Sequence, residues 1–311
     1  MSRATIIITS YNGHDLLATN LPSVLAAINH ANVEHEVIVV DNGSTDNSSR
    51  MLKQEFPSVK LIREERNLGF IKASNKAARL AETEFLVMLN NDMELDRNYF
   101  KPLLEHFNDP EVFAVTPKVY FADRSSLNAG LKYGYLKQGS FSEVLQTDES
   151  KLQQASLTLY AHGGSAAFRR SLFLELGGFD ELYSPFYQEA LDLSYRAYKR
   201  GFKVIFEPGS LAYHQHRSTV NRLYSSAQID RVLLRNQLLF FWTNITDPLA
   251  FSEHLNYLAR QLGKALWEGD SLFISAFLLA LMNLRQVIAR QRQRSPHWVR
   301  SDREVLELIR G

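Results

Sequence analysis

Asp92 closes an Asn90-Asn91-Asp92 run that follows directly on the apolar stretch Phe85–Leu89. A carboxylate at a strand end, backed by amide side chains, can hold a hard divalent ion such as Mg2+ or Mn2+. An ion placed there bridges the oxygens of a diphosphate and stabilises its charge on departure. The same residues also make an ordinary Asx turn, so the run gains meaning only from its neighbours. Three other loops follow apolar runs in the same way: Thr9-Ser10-Tyr11-Asn12-Gly13, Asp41-Asn42-Gly43-Ser44-Thr45-Asp46 and Arg66-Asn67-Leu68-Gly69-Phe70. Farther along, Glu189 and Asp192 stand three residues apart near a helix start, on roughly one face. They suit proton transfer or, equally, complementation of the helix dipole with Asp192 paired to Arg196. Tyr213-His214-Gln215-His216, after a strand and a Pro208-Gly209 turn, offers imidazole ligands.

The elements that would position these groups are legible from periodicity. Ala4–Thr9, Glu36–Asp41, Val59–Arg63 and Phe85–Leu89 are short, Ile-, Val-, Leu- or Phe-rich, and read as buried strands. Helical spacing of Leu16, Leu17, Leu21, Val24, Leu25 and Ile28 lies between the first two. Helices are also expected at Thr45–Phe56, capped by Ser44, Thr45 or Asp46 and closed by Pro57, and at Ile71–Ala81. Strands alternating with helices at this spacing make βαβ units and a parallel sheet. Ligands of open α/β sheets bind beyond the carboxyl ends of the strands. The four polar loops occupy those ends, so one shared cleft is expected.

Downstream, Arg97–Asn108 and Glu189–Arg200 read as helices, and Val112–Val115, Ala166–Phe168 and Lys203–Phe206 as strands. Asp123–Ser156 is polar and weakly periodic, and no element can be assigned to it. From Ala227 the chain is Leu-rich, with two or three helices leading into a run from Arg285 to Arg303 that holds Arg285, Arg290, Arg292, Arg294, Arg300 and Arg303. Such a segment suits an interfacial membrane surface or a dimer contact.

Composition narrows the classes. The 311 residues are 45% hydrophobic, enough for a large core. Lys plus Arg minus Asp plus Glu is 35 − 34 = +1, which argues against a nucleic-acid partner. The absence of cysteine excludes disulfides, thiolate metal sites and a cysteine nucleophile. No G-x-G-x-x-G, P-loop, H-E-x-x-H or G-x-S-x-G pattern is present, and His162-Gly163-Gly164-Ser165 does not sit on a nucleophile elbow. The most apolar run, Ser271–Leu284, is shorter than the roughly 20 residues of a spanning helix. The three isoleucines near the N-terminus are too few for a signal peptide. A cytoplasmic protein, soluble or peripheral at the membrane, is expected.

Taken in order and spacing, Thr9-x-Tyr11-Asn12, Asp41-Asn42-x-Ser44-x-Asp46, Asn67-Leu68-Gly69-Phe70, Asn90-Asn91-Asp92, Gly177-Gly178-Phe179-Asp180-Glu181 and the stretch Phe186 to Arg196 resemble glycosyltransferase family 2. The resemblance covers roughly residues 4–220 and leans toward bacterial rhamnosyl- or galactofuranosyl-type transferases of cell-surface polysaccharides. It implies a GT-A fold, that is, an α/β mixed sheet flanked by helices, here with a C-terminal helical region. It also implies a nucleotide-diphosphate sugar donor. The matching nucleotide-sugar positions are Thr9, Tyr11, Asn12, Asp41, Asn67, Gly69, Asn75, Asn90 and Asn91, with Asp41 accepting from a pyrimidine N3–H and Tyr11 stacking on the base. Asn90-Asn91-Asp92 stands where the family has its metal-binding D-x-D, with Asn for the first Asp. Asp92 is then the main carboxylate ligand. His214 resembles a late metal-ligating His of GT-A enzymes, a better match than His216.

One departure matters. The family reads Glu-Asp-x-Asp-Leu where this chain reads Glu189-Ala190-Leu191-Asp192-Leu193. The family's general base is the Asp that Ala190 replaces, and alanine cannot take a proton from an acceptor hydroxyl. The chain is an inactivated variant, or Glu189 serves as base, or the protein is a natural non-catalyst; the intact surrounding pattern favours the first. The expected layout is a GT-A domain over 1–225, with a nucleotide half to about 95 and an acceptor half from 96, then a helical region over 226–311. The expected activity is inverting, Mn2+- or Mg2+-dependent transfer of a sugar to a glycan or lipid-linked hydroxyl. The alternatives are a non-catalytic nucleotide-sugar-binding protein and a nucleotidyltransferase.

Overall fold

The computed structural model describes residues 3–32, 35–215 and 218–310. The first quarter is the expected βαβ series: β1 (Ala4–Ser10), α1 (His14–Ala31), β2 (Glu36–Asp41), α2 (Ser48–Glu55), β3 (Lys60–Arg63), α3 (Phe70–Leu80) and β4 (Phe85–Asn90). The strands run parallel in the order β4-β1-β2-β3. Register sets Thr9 beside Asn90 and Ser10 beside Asp41, so three of the polar loops leave the sheet at one level. Side chains alternate between faces. Ile6, Ile8, Val37, Val39, Val87 and Leu89 meet α1 and α2 on one side. Ile7, Ile38, Val40, Leu86 and Met88 join the core that contains α3 on the other. Each such side chain contributes about 1.5–3 kcal/mol on full burial. Helix α2 starts three residues later than its sequence pattern suggests, because Asp46 accepts the Ser48 N–H at 3.0 Å and the His14 N–H at 3.1 Å and so holds a loop.

The sheet then becomes mixed. After β5 (Met93–Leu95) and a short α4 (Phe100–Glu105), β6 (Val112–Phe121) is followed by β7 (Leu127–Ala129), β8 (Lys132–Lys137), β9 (Ser140–Leu145), β10 (Ser156–Leu157) and β11 (Ala167–Arg169). Helices α5 (Arg170–Glu175) and α6 (Glu189–Lys199) precede β12 (Lys203–His214). The complete order is β10-β12-β6-β11-β4-β1-β2-β3, with β5 beside β12 and β7 beside β6. The segment that sequence patterning left blank holds a hairpin, β8–β9, that is separate from the main sheet. It lacks a clean hydrophobic alternation because most of its residues are only partly covered.

The C-terminal region contains more helix than expected: α7 (Ser218–Leu223), α8 (Ser226–Asn244), α9 (Pro248–Glu268), α10 (Ser271–Leu281), α11 (Leu284–Arg294) and α12 (Asp302–Leu308). Leu238, Phe240, Ile245 and Val305 belong to the same buried cluster as Ile7, Ile71 and Leu193. The change near residue 225 is therefore a new layer on one core. The arginine run is not a free basic face. Arg290 and Arg294 bind Asp180, Arg294 also binds Asp192, Arg300 donates to the Tyr198 and Phe202 carbonyls, and Arg303 pairs with Glu307. Arg285 and Arg292 remain exposed, near the exposed Met282, Leu284 and Ile288. Among the described residues no single helix is long and apolar enough to cross a membrane; 271–281 and 284–297 pass together only as a pair bent by 54°.

Candidate functional site

The strand ends meet in a cleft of about 460 Å3. Its lining includes Thr9, Ser10, Tyr11, Asn42, Asn67, Gly69, Asn90, Asn91 and Asp92 from the first four strands, with Glu189, Ala190 and His214 from α6 and β12. Most of these were marked by the sequence. Asn42 ties its loop to the next: its amide donates to Asn67 Oδ1 at 3.0 Å, and Leu68 N–H donates to Asn42 Oδ1 at 2.9 Å. Asn91 donates to the Ser10 hydroxyl at 2.9 Å. Gly164 packs so closely on Asn90 that a Cβ would fall 2.3 Å from its side-chain nitrogen and would have to push the amide aside.

Four expected site residues are placed otherwise. Asp41 is 1% exposed and outside the lining; it accepts the Ser44 N–H at 2.9 Å and the Ser49 hydroxyl, so its carboxylate shapes the loop and is not presented to a base. Asn12 likewise bridges loops, accepting the Thr45 N–H at 2.8 Å. Asn75 is buried and tied to Phe179 in both directions, at 2.7 and 2.9 Å, which fixes the Gly177–Asp180 turn against α3. Asp192 is wholly buried: Arg196 donates to it at 2.7 Å, Asn244 at 2.9 Å, Tyr183 at 3.0 Å and Arg294 at 3.3 Å. A carboxylate with that set of donors is a structural anchor and not a proton acceptor. His216 lies outside the described residues.

Asp92 and His214 do converge. Asp92 Oδ1 and His214 Nε2 are 3.1 Å apart, and both side chains are almost fully covered. The other ring nitrogen of His214, Nδ1, lies 2.8 Å from the Asn128 amide oxygen. That contact orients the ring so that Nε2 is turned toward the carboxylate. One carboxylate oxygen and one imidazole nitrogen, oriented by a second residue, make a donor set that fits a divalent ion such as Mn2+. Among the described residues no cluster of three or more His, Cys, Asp or Glu surrounds this point.

Glu189 stands at the start of α6, 8% exposed, with Oε2 lacking any hydrogen-bond partner among the described residues. Burial raises its pKa to about 7, opposed by a backbone hydrogen bond and assisted by the nearby Asp192 charge. Tyr187 and Gln188, immediately before it, both have positive φ, 67° and 75°. Each such residue costs roughly 1–2 kcal/mol, and backbone strain of this kind concentrates at functional sites. A Cβ on Gly163 would lie 3.6 Å from Glu189 Oε1 and 3.4 Å from the Ala190 methyl. Gly163 thus faces Glu189 while Gly164 faces Asn90, and this dipeptide sets the spacing between the carboxyl group and the Asp92 strand end.

Sequence reasoning missed His162, Asn128, Lys132, Glu143 and Tyr160, all in the lining. The His162 ring lies 5.9 Å from that of His214. Its neighbours Gly163-Gly164 were the available signal; nothing in the spacing of 128–143 pointed to the cleft. Helix α7 closes one rim, where Arg222 donates to the Tyr11 and Asn12 carbonyls at 3.1 and 3.0 Å.

The mixed α/β sheet flanked by helices, with its helical C-terminal region, is a GT-A-like fold, shared with the solved structures below. The sequence model of glycosyl transferase family 2 matches residues 5–177, more than half of the chain, and the chain belongs to that family. It is 26% identical over 308 residues to the O-antigen biosynthesis protein RfbC of Myxococcus xanthus, covering 94% of this chain and 24% of that protein. The chain spans between 24% and 40% of the length of the curated relatives it matches. Among solved structures, GalNAc-T7 with UDP, GalNAc and Mn2+ superposes with a TM-score of 0.60 at 20% identity, covering 78% of this chain and 48% of that one. The mannosyltransferase PcManGT of Pyrobaculum calidifontis, in complex with GDP-Man and Mn2+, gives 0.55 at 18% identity over 99% of this chain and 84% of its own.

Proposed function

We propose that the chain transfers a sugar, with inversion, from a nucleotide-diphosphate sugar to a hydroxyl of a glycan or glycolipid, with Glu189 as the proton acceptor in place of the missing Asp. The observation that carries this reading is the placement of Asp92, His214 and Glu189 in the lining of one cleft, with Asp92 and His214 3.1 Å apart. Thr9, Tyr11, Asn42 and Asn67 line the end suited to the nucleoside. Asp92 and His214 would hold a Mn2+ or Mg2+ ion, which when bound neutralises charge on the leaving diphosphate. Glu189 is a carboxyl poised near neutrality, the range in which a general base combines ionisation with proton affinity. The two structural neighbours, one holding UDP, GalNAc and Mn2+ and the other GDP-Man and Mn2+, support the donor class. The nucleotidyltransferase alternative is disfavoured, since Ser10-Tyr11-Asn12-Gly13 after β1 carries no lysine or arginine. Ala190 favours one second reading, a nucleotide-sugar-binding protein without turnover.

Calorimetry with a panel of UDP- and GDP-sugars tests the assignment. Binding is expected to need Mn2+ or Mg2+, and Asp92→Ala should weaken it by about 10–100-fold, the scale of lost metal-site interactions. Equal affinity with chelator present, or in Asp92→Ala, refutes the metal assignment. Failure of every sugar nucleotide to bind refutes the donor class.

A further inference from the structure

The cleft has a second charged cluster that the chemistry above does not use. Lys132 on β8 and Glu143 on β9 both enter the lining, as does Tyr160. Lys132 Nζ donates to the Tyr160 oxygen and, at 3.2 Å, to Glu143 Oε1; Tyr160 donates to the same Oε1 at 3.0 Å. The lysine side chain is 14% exposed and the glutamate 38%. One carboxylate oxygen is thus consumed in holding the cluster together. The other, Glu143 Oε2, makes no hydrogen bond among the described residues and belongs to the more exposed partner. Tyr160 lies three residues before Gly163, which faces Glu189, so the cluster is on the wall that continues from the proton acceptor.

Resting on the transferase reading, we propose that Lys132, Glu143 and Tyr160 form the acceptor subsite and that it takes an uncharged sugar residue, the hydroxyl-bearing end of a glycan. Three features select that chemistry. A carboxylate oxygen accepts from hydroxyls, whereas it repels a phosphate. The lining carries Asp92, Glu143 and Glu189 against a single lysine among the described residues, and that lysine is already paired. A second anionic substrate would therefore meet a wall without an uncommitted cation, while the donor's diphosphate has its own site at Asp92 and His214. The lining also carries a small aromatic group, with Phe186 4.8 Å from Tyr187 and 4.9 Å from Tyr224, a surface for the C–H face of a sugar ring. A few fixed polar groups beside aromatic surface is the usual composition of a small-ligand site.

The probes are the methyl glycosides of glucose, galactose, mannose and rhamnose, with farnesyl phosphate as the anionic contrast. Binding to the full chain is read by saturation-transfer NMR with Mg2+, with and without UDP, and UDP affinity is measured on the same samples. At least one glycoside should bind. Glu143→Gln and Tyr160→Phe should each weaken it by about tenfold or more, as loss of a hydrogen bond in a site built for hydroxyls does, while UDP affinity stays put. Glu143→Asp should retain part of the binding. Undiminished glycoside binding in both variants overturns the proposal, as does the absence of glycoside binding to the unaltered chain or a response to farnesyl phosphate alone. Loss of UDP binding by the unaltered chain instead counts against the donor assignment, and the arm without UDP still reads the acceptor subsite.

Discussion

The two walls of the cleft are built by different means. The nucleotide wall consists of β1, β2, β3 and β4 and their following loops, in which Asn42 bonds across to Asn67 and Leu68, Asp41 bonds within its own loop, and Asp46 bonds both within its loop and to the His14 N–H. Most of its bonds are short-range, with Arg222 of α7 added at the Tyr11 and Asn12 carbonyls. The other wall is α6 with the β8–β9 hairpin, and both lean on residues 50 to more than 100 positions away. Asp180 and Asp192 are held by Arg290 and Arg294, and Lys199 and Tyr195 by Asp302, at 2.9 and 2.8 Å. The first wall is a set of local turns; the second depends on buried charges whose partners arrive from the end of the chain. Ligand recognition on the two sides should accordingly respond to different insults.

The largest expected effect separates chemistry from binding within the second wall. Glu189→Gln should lower the transfer rate by about 10²–10⁴-fold, the usual worth of a positioned general base, with little change in donor affinity. Ala190→Asp should restore much of the rate to the Glu189→Gln protein. Because Glu189 must be ionised to accept a proton and burial raises its pKa to about 7, the rate of the present chain should fall as pH drops below 7. A rate that Glu189→Gln leaves unchanged would break the assignment of the second wall.

The next effect is on stability. Arg294→Ala leaves Asp192 and Asp180 short of a buried partner and should cost on the order of 3 kcal/mol, read by urea unfolding. UDP affinity of the fraction that remains folded should be little changed, because Arg294 touches nothing in β1–β4. A comparable loss of UDP affinity would show that the walls are not independent.

The smallest effect is a pH dependence. Burial alone would raise the Asp180 pKa, but the Arg290 hydrogen bond and the Arg294 charge outweigh it and hold the group at about 2. A depressed carboxylate pKa gives stability that is complete above the unfolded value, near 4, and is lost as pH falls from there toward 2. The shift is worth about 2 kcal/mol. The loss should be smaller in Arg294→Ala, and an identical acid response in both proteins would remove Asp180 from the network.

The same contrast decides what could be read in advance. The strand–loop–helix series and most of the nucleotide wall follow from short-range patterns, since a strand period of two and a turn residue are both visible within a few positions. The Asp92–His214 meeting was legible only through the resemblance, because the two are 122 residues apart, 214 − 92, and are joined by β5 pairing with β12. Asp41, Asn12 and Asn75 have the right residue types but spend their polar atoms on the backbone, and no local signal distinguishes a loop-holding Asp from one that faces a ligand. The apparent amphipathic basic tail misled for a related reason. Its arginines are spaced as a surface helix would space them, and the acids that receive two of them, Asp180 and Asp192, lie more than 100 residues earlier.

The hairpin that carries Lys132 and Glu143 turns at Gly139, where φ is +78° and a Cβ would lie 2.3 Å from the Glu253 carbonyl oxygen of α9. The Gly139 carbonyl is also 2.6 Å from His254 Nδ1. The hairpin tip is therefore seated on a helix synthesised more than 100 residues after it, and α6 is pinned by Asp302, later still. Synthesis order therefore runs from the sheet and its nucleotide loops to the residues that brace the acceptor side, and a truncation ahead of Asp302 would strip α6 of the carboxylate that Tyr195 and Lys199 hold.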